Sequence, residues 1–218
     1  MFRDEADILN EFFTHWSNVG VTDFYACDNG SKDNSYDIAA KYCKVLIKDS
    51  RTNWPGREVI NSLKTIALEK HQWIFPVDAD EFIQLPEQYQ SIHDWLDTYN
   101  VDDYAWGEVK YLNILPNGYK EFQEPHRKVF GKLKSDWMIS MGNHIIESIK
   151  PTLSSKGVYY NHYSLRTFDQ FKTKMINYMT AFHDSAFQDH PHAVDYHLWK
   201  EQGDEFLLNR WNALTNYP

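Results

Sequence analysis

The pattern that most constrains this chain is an alternation of helix-like and strand-like segments over its first 80 residues. Three segments carry apolar residues at helical spacing, and each is followed by a short, β-prone apolar segment. The predicted helices are 5–19, 32–42 and 57–70, and the predicted strands are 21–27, 44–48 and 73–77. This order predicts an α/β fold with a mostly parallel sheet and helices on both faces.

The second half of the chain has a less regular pattern. We predict further helices at 91–99 and 167–187, strands at 103–115, 127–133, 145–149 and 158–163, and a helical tail at 191–218. The expected organisation is one main domain over residues 1–165 and a helical C-terminal extension, 166–218, packed on that domain. Because the first helix starts near residue 5, most of the usual first strand of such a domain is missing: either Met1 and Phe2 are the remnant of that strand, or the strand belongs to sequence outside this chain.

Charge and hydropathy narrow the class of protein. Lys and Arg number 22 against 31 Asp and Glu, a net charge of −9, which argues against nucleic acid as a partner. No apolar run approaches the roughly 20 residues of a membrane span, so no integral membrane segment is expected. The start lacks a secretory signal pattern, and there are only two cysteines. These features predict a cytoplasmic location.

The most informative polar residues follow the predicted strands. Asp78, Asp80 and Glu81 come directly after strand 73–77, and Asp28 follows strand 21–27. In an open parallel sheet, ligands bind beyond the carboxyl ends of the strands. Acids this close together repel one another unless a cation offsets their charge, and Mg²⁺ or Mn²⁺ is suited to that role. The alternative is an acidic loop whose side chains cap the next helix.

Three motifs in order resemble the glycosyltransferase family 2 superfamily, most closely its short family 2-like branch. They are Arg-Asp-Glu-Ala at 3–6, Asp-Asn-Gly-Ser at 28–31 and Asp-Ala-Asp-Glu-Phe at 78–82, and a later His-Tyr at 162–163 is also typical. The resemblance covers about residues 1–165. It implies a GT-A type nucleotide-sugar-binding domain that transfers a sugar from a nucleoside diphosphate sugar to a saccharide or other hydroxyl acceptor, with inversion. Asp4 stands where the family usually has Asn.

The resemblance also implies roles for individual residues. Glu5 and Asp28 would contact the nucleoside, and Asp78 would bind the ribose or a metal-bound water. Asp80 would ligate a Mn²⁺ or Mg²⁺ ion that bridges the two phosphates, with Asp78 beside it. His162 would be a further metal ligand or a contact of the diphosphate.

Sugar transfer needs two more kinds of residue. Negative charge grows on the leaving phosphate, and Arg57 or Arg166 is placed to offset it. A general base must take the proton of the acceptor hydroxyl. Asp136, beside a Trp suited to sugar stacking, is the first choice, with Glu147 and His144 as competitors. Candidate acceptor-site aromatics are Trp106, Tyr111 and Trp137.

The main alternative is a protein without catalysis, a nucleotide- or sugar-binding module with the same fold. A phosphotransferase of the haloacid dehalogenase kind also places Asp-x-Asp after an apolar strand. In that class the acidic strand usually opens the domain, whereas here two α/β units precede it. A nucleotidyltransferase normally opens with a Gly-rich phosphate loop, which this sequence lacks.

Overall fold

A computed structural model describes residues 1–51, 55–183 and 191–215, including every side chain there except those at 123, 124, 182, 183 and 191–193. The α-helices are α1 (Ala6–Asn18), α2 (Ser35–Ala39), α3 (Gly56–Leu68), α4 (Ile92–Asp97), α5 (Phe168–His183), α6 (Pro191–Gln202) and α7 (Asp204–Thr215). The strands are β1 (Phe24–Asp28), β2 (Cys43–Lys48), β3 (Trp73–Ile74), β4 (Glu81–Gln84), β5 (Ala105–Ile114), β6 (Lys120–Lys132) and β7 (Leu153–His162). The chain is therefore a mixed α/β protein.

The first helix shows how the sequence pattern becomes structure. The apolar stripe of α1 is buried, as its helical spacing predicts; its members are Ile8, Leu9, Phe12, Phe13 and Trp16. The helix ends before Gly20, whose φ of +106° lies in the region that favours glycine. The Gly20 N–H donates to the Ser17 carbonyl at 3.0 Å, which closes the last turn and redirects the chain towards β1.

The two strands of the first α/β unit form a small parallel sheet. β1 pairs with β2, with Tyr25 opposite Val45 and Cys27 opposite Ile47. Phe2 adds one parallel bridge on the other edge of β1, opposite Asp28. The predicted remnant of a first strand is thus present as a single paired residue.

The second sheet has five strands in the order β3-β6-β5-β7-β4. β5 and β7 are parallel, while the β3–β6, β5–β6 and β4–β7 pairs are antiparallel. The prediction of a mostly parallel sheet is therefore wrong in this respect, since the larger sheet is mixed. The long β5–β6 hairpin is the main reason, because two strands joined by a short turn pair antiparallel.

Segment 73–77 explains why the two sheets stay separate. Only Trp73 and Ile74 enter a ladder, with β6, although the whole segment was predicted as a strand. Pro76 has no N–H to donate to a neighbouring strand. Between this segment and β1 lies an apolar groove of about 370 Å³. The carboxyl ends of β1 and of segment 73–77 nevertheless lead to one cleft.

Two other strand predictions differ from the structure. Residues 145–149 were predicted as a strand, but only Ile146 forms a bridge there, with Ile139. β4 was not predicted, because it begins with the acidic Glu81 and is only four residues long. Its place in the sheet comes from pairing with β7, which is not visible in the local sequence.

Large aromatic side chains fill the core between α1, α4 and the five-stranded sheet. Trp16, Trp95, Phe130 and Tyr160 are each at most 1% exposed. The Trp95 and Phe130 ring centroids lie 4.8 Å apart. This packing fixes the sheet that carries the acidic turn.

The C-terminal helices have a small core of their own. Phe171, Met175 and Met179 of α5 pack with Leu207 of α7. The predicted helix 167–187 matches α5 up to His183, and its last four residues lie outside the described part of the chain. None of the helices in the described ranges is long and apolar enough to cross a membrane.

Candidate active site

A cleft of about 420 Å³ opens beside the residues that follow β1 and segment 73–77. Asn29 from the first turn and Asp78 from the second both line it. Its other titratable lining residues are of both signs: Arg3, Glu5, Asp80, Glu81, Tyr111, Lys128, His144, His162, Lys174 and Tyr178. Of the residues predicted for the site, the cleft brings together Glu5, Asp78, Asp80, His144 and His162.

Strand register places His162 beside the acidic turn. In the β4–β7 ladder, Glu81 lies opposite His162, so the residue just before β4 reaches the end of β7. The Tyr163 N–H also donates to the Asp80 carbonyl at 2.9 Å, which holds the turn against the strand end. The His162 Nε2 and Asp80 Oδ1 atoms are 3.6 Å apart as a result.

Asp80 is a buried carboxylate with a cationic partner. It is 4% exposed, and the Lys174 ammonium from α5 donates to its Oδ2 at 2.7 Å. Burial opposes ionisation here, but the Lys174 ammonium holds the pKa of Asp80 well below its usual range. The acid is therefore ionised at neutral pH.

His162 presents a free lone pair to this carboxylate. Its Nδ1 lies 2.6 Å from the Asn113 amide oxygen. Because an amide oxygen only accepts hydrogen bonds, Nδ1 carries the proton and Nε2 of the neutral ring faces Asp80. Burial lowers the pKa of His162, which favours the neutral ring.

This pair fits a divalent cation. A carboxylate oxygen and an imidazole nitrogen face each other with no proton between them, and Mn²⁺ accepts both kinds of donor. Within residues 1–51, 55–183 and 191–215, no group of three or more His, Cys, Asp or Glu side chains is arranged to hold a metal by itself. Further ligands would have to come from substrate phosphates and water, as is usual for Mg²⁺ sites.

Asp78 has a different set of partners. The Lys128 ammonium donates to its Oδ2 at 2.6 Å, and the Asn143 amide lies 3.5 Å from its Oδ1. Burial works against ionisation, but Lys128 holds the pKa of Asp78 below its ordinary value. With 44% of its side chain exposed, Asp78 stands at the mouth of the cleft. Each of the two aspartates therefore pairs with its own lysine, and only Asp80 also faces the histidine.

Lys128 and Glu81 lie beneath Asp78. Lys128 is 3% exposed and Glu81 is 1% exposed, with 3.0 Å between the ammonium and the Glu81 Oε1. The second Glu81 oxygen accepts from the Asp78 N–H at 3.0 Å, which fixes the turn. Burial raises the pKa of Glu81 to about 8, against the pull of Lys128. Glu81 thus acts as a structural support of the turn.

The start of α1 is tied to α5 and to Arg166 just before it. Arg166 donates to Asp7 Oδ2 at 2.7 Å and also pairs closely with Glu5. Burial raises the pKa of Glu5 to about 7. The Asn177 amide donates to Asp4 Oδ2 at 3.0 Å. Arg166, predicted as a phosphate contact, is therefore already engaged by two carboxylates.

Asp28 lies just below the cleft. It is 4% exposed, and its Oδ1 accepts from the Ser31 N–H at 3.1 Å. The next residue, Asn29, lines the cleft, and its side-chain amide donates to the Asp49 and Arg51 carbonyls. In this structure Asp28 shapes the turn, and Asn29 is the residue that reaches the cleft.

Two predicted site residues are paired with each other outside the cleft. Arg57 at the start of α3 donates to both carboxylate oxygens of Glu147, at 2.8 and 2.6 Å. Half of the Arg57 side chain and 37% of the Glu147 side chain are exposed. Asp136 is exposed in a turn whose carbonyls bind Lys64. None of these three acidic or basic groups lines the cleft.

His144 is the candidate base that the fold does bring to the cleft. Its Nδ1 lies 2.6 Å from the Arg127 carbonyl, which only accepts, so Nδ1 carries the proton. Burial lowers the pKa of His144, so the ring is neutral at pH 7 and Nε2 holds a lone pair. Gly142 leaves room for this nitrogen, since a Cβ there would lie 2.8 Å from it.

The predicted acceptor aromatics divide between core and cleft. Trp106 is 1% exposed and belongs to a core cluster, against which Trp137 packs. Tyr111 lines the cleft, with its ring centroid 5.0 Å from that of His162. Tyr111 is therefore the only one of the three that is placed to meet a ligand in this cleft.

Sequence reasoning missed the two lysines that balance the acids. Lys128 comes from the middle of β6 and Lys174 from the middle of α5, at 50 and 94 positions from their partners. No local sequence motif marks either lysine, so only the three-dimensional fold identifies them. No protein-family model matches the chain, and no curated protein matches it.

Proposed function

We propose that the cleft binds the diphosphate of a nucleoside diphosphate sugar and that the protein transfers the sugar to a saccharide or other hydroxyl acceptor, with inversion. The observation that carries this proposal is the Asp80–His162 donor pair with the Lys128 and Lys174 ammonium groups in the same cleft. Asp80 and His162 offer two ligands to a divalent cation, and the two ammonium groups offer positive charge to a diphosphate. The motif resemblance to family 2-like glycosyltransferases points to the same ligand.

Asp80 and His162 would hold the Mn²⁺ or Mg²⁺ ion. When bound, the ion supplies Lewis-acid stabilisation of the negative charge that develops on the leaving phosphate. Lys174 and Lys128 add fixed positive charge at the same place. Glu5, which the resemblance assigns to the nucleoside, lines the cleft, and so does Asn29, the residue after Asp28.

The acceptor would be activated by His144. Its Nε2 lone pair faces the cleft, while its Nδ1 proton is held by the Arg127 carbonyl. An acceptor hydroxyl that hydrogen-bonds to Nε2 would transfer its proton there as it attacks the anomeric carbon. The new positive charge on the ring would be stabilised by Asp78, which lies on the same side of the cleft. Asp136 and Glu147 remain predictions, although they lie outside the cleft.

The first experiment is a thermal-shift panel of UDP, GDP, CDP and ADP, each with and without Mn²⁺. A ligand at 100 times its Kd stabilises the native state by about 2.7 kcal/mol, a shift of several degrees for this size of chain. We expect one nucleotide to give a shift that depends on Mn²⁺. Asp80→Asn should abolish it, whereas the exposed control Asp102→Asn should keep it. An unchanged shift in Asp80→Asn would show that Asp80 does not bind the ion.

The base is tested with the sugar form of the nucleotide so identified. His144→Asn places an amide N–H near the Nδ1 position and removes the Nε2 lone pair. We expect donor affinity to stay within about twofold while turnover falls by about 10²–10⁴-fold. Asp136→Asn is the matched comparison. If Asp136→Asn loses the turnover and His144→Asn keeps it, Asp136 is the base.

One observation favours the alternative of a binding module without catalysis. Lys174 already neutralises Asp80, so the cleft is close to charge balance without an added ion. In that case a nucleotide would bind equally well with and without Mn²⁺, and no donor sugar would be released. The Mn²⁺ dependence in the panel and the turnover assay with the donor sugar together distinguish the two functions.

A further inference from the structure

Arg3 is a cation of the cleft to which the proposed function gives no role. Its side chain lines the cleft and is 25% exposed. Its Nε atom is buried, and no group in the described part of the chain accepts a hydrogen bond from it. Asp4 Oδ2 lies 3.9 Å from this nitrogen, which is longer than a hydrogen bond. A buried N–H donor without a partner is costly, so we expect the guanidinium to meet an acceptor that comes from a ligand.

The two lysines of the cleft are already paired with carboxylates. Lys128 donates to Asp78 at 2.6 Å, and Lys174 donates to Asp80 at 2.7 Å. Neither ammonium can turn to a phosphate without giving up the hydrogen bond to its carboxylate. Arg3 can bind a phosphate from Nε without breaking any hydrogen bond that this nitrogen makes within the described residues.

The backbone holds Arg3 in place from both sides. Before it, the Phe2 carbonyl accepts from the Asn29 N–H at 2.8 Å. After it, the Asp4 N–H donates to the Ser31 hydroxyl at 3.0 Å, and the φ of Asp4 is +53°, in the left-handed region that favours glycine. A conformation of this kind persists where the surrounding structure fixes it, and such residues cluster at binding sites. Arg3 is therefore presented to the cleft by a fixed turn.

We propose that Arg3 binds the diphosphate of the donor and stabilises the negative charge that develops there; this inference rests on the proposed function. A guanidinium presents a planar fork of N–H groups that matches two phosphate oxygens. In the transfer, the acceptor oxygen bonds to the anomeric carbon and its proton passes to His144. The bond from that carbon to the phosphate oxygen breaks, and its electron pair stays on the oxygen. The released diphosphate thus carries one more negative charge than the donor did, and Arg3 offsets that charge.

The test measures the binding of UDP, GDP, CDP and ADP and of the four corresponding monophosphates, all with Mn²⁺. The proteins are the parent, Arg3→Gln, Arg3→Lys and the control Arg51→Gln. Arg51 is a matched control because it is 45% exposed, pairs with Asp49 and Glu58, and lies outside the lining of the cleft.

We expect the diphosphate that binds the parent to bind Arg3→Gln about 10–150-fold more weakly, the factor that corresponds to a hydrogen bond to a charged group. The matching monophosphate should change by less than about threefold, because it lacks the group that Arg3 contacts. Arg3→Lys keeps the charge but not the fork, so its affinity for the diphosphate should lie between those of the parent and Arg3→Gln. Arg51→Gln should change neither affinity by more than about twofold.

The proposal is overturned if Arg3→Gln binds the diphosphate as tightly as the parent does. It is also overturned if Arg3→Gln weakens the monophosphate and the diphosphate by the same factor, since Arg3 would then contact the nucleoside. In both cases the proposed function stands, because the parent binds a nucleoside diphosphate. If the parent binds none of the four diphosphates, the proposed function fails and this proposal fails with it.

Discussion

Removing the Lys174 ammonium is the sharpest test of how the cleft is held together. Lys174→Met keeps the aliphatic stem and the helix propensity of α5 but takes away the cation that lies 2.7 Å from Asp80 Oδ2. Asp80 is 4% exposed, so its carboxylate would be left buried without its hydrogen-bonded cation, with the neutral His162 ring at 3.6 Å. Removing one partner of a buried ion pair costs about 3–5 kcal/mol.

The same helix offers a matched control. Lys172 pairs with Asp204, and 34% and 62% of these two side chains are exposed. Breaking an exposed pair of this kind costs about 0–1 kcal/mol. At about 2–4 °C per kcal/mol for a chain of this length, Lys174→Met should lower Tm by about 6–20 °C and Lys172→Met by at most about 4 °C.

The assay is thermal and urea unfolding at pH 7.5 in the presence of a chelator, followed by the same series with Mn²⁺. Asp80→Asn combined with Lys174→Met should recover part of the loss, because no buried charge then remains. Mn²⁺ should stabilise Lys174→Met more than the parent, since the ion replaces the missing charge. Equal losses in the two lysine variants would refute the reasoning about the buried pair.

Three further outcomes follow from single residues. Burial raises the pKa of Glu81 to about 8, so its contribution to stability is complete below about pH 4.5 and is lost as the pH rises through 8. In urea unfolding, the stability of Glu81→Gln should therefore increase relative to that of the parent between pH 6 and 9. A constant difference in stability would contradict this. Gly142→Ala should lower the free energy of unfolding by about 1 kcal/mol or more, because φ is +79° and a Cβ would lie 2.8 Å from the His144 ring. Donor turnover should also fall, because the added Cβ displaces that ring. Phe130→Ala, at 0% exposure, should cost about 3–5 kcal/mol in the same unfolding assay, whereas Phe122→Ala at 47% exposure should cost less than about 1 kcal/mol.

Much of the local structure is readable from the sequence because it depends on neighbours in the chain. The apolar stripe of α1 depends on side chains three or four positions apart, and the end of the helix depends on the glycine that follows it. The acidic turn after 73–77 is likewise a local signal, and it does lie in the cleft. The motif resemblance places His162 in the same site as Asp80, and the register of β4 and β7 is the physical reason that the two residues lie side by side.

Properties that depend on distant segments could not be read in this way. The periodicity of 73–77 and of β6 indicates strands but not which strands they pair with, so it could not predict that the sheet is mixed. Arg57 and Glu147 each looked available for chemistry until the fold paired them with one another. A charged residue's role depends on its partner, and these two partners are 90 positions apart in the sequence.

The charge arrangement of the cleft has a consequence for the order of ligand binding. A divalent ion alone would meet the Lys174 ammonium at Asp80, and a diphosphate alone would meet the Asp78 and Asp80 carboxylates. When both enter, Lys174 can turn from Asp80 to the phosphates while the ion takes its place, so each ligand removes the repulsion that opposes the other. Cation and nucleotide should therefore bind cooperatively, each tightening the other by the same factor. In Lys174→Met the ion should bind without the nucleotide, and the cooperativity should largely disappear. Independent binding in the parent, measured by titrating Mn²⁺ at several nucleotide concentrations, would mean that Lys174 does not exchange partners.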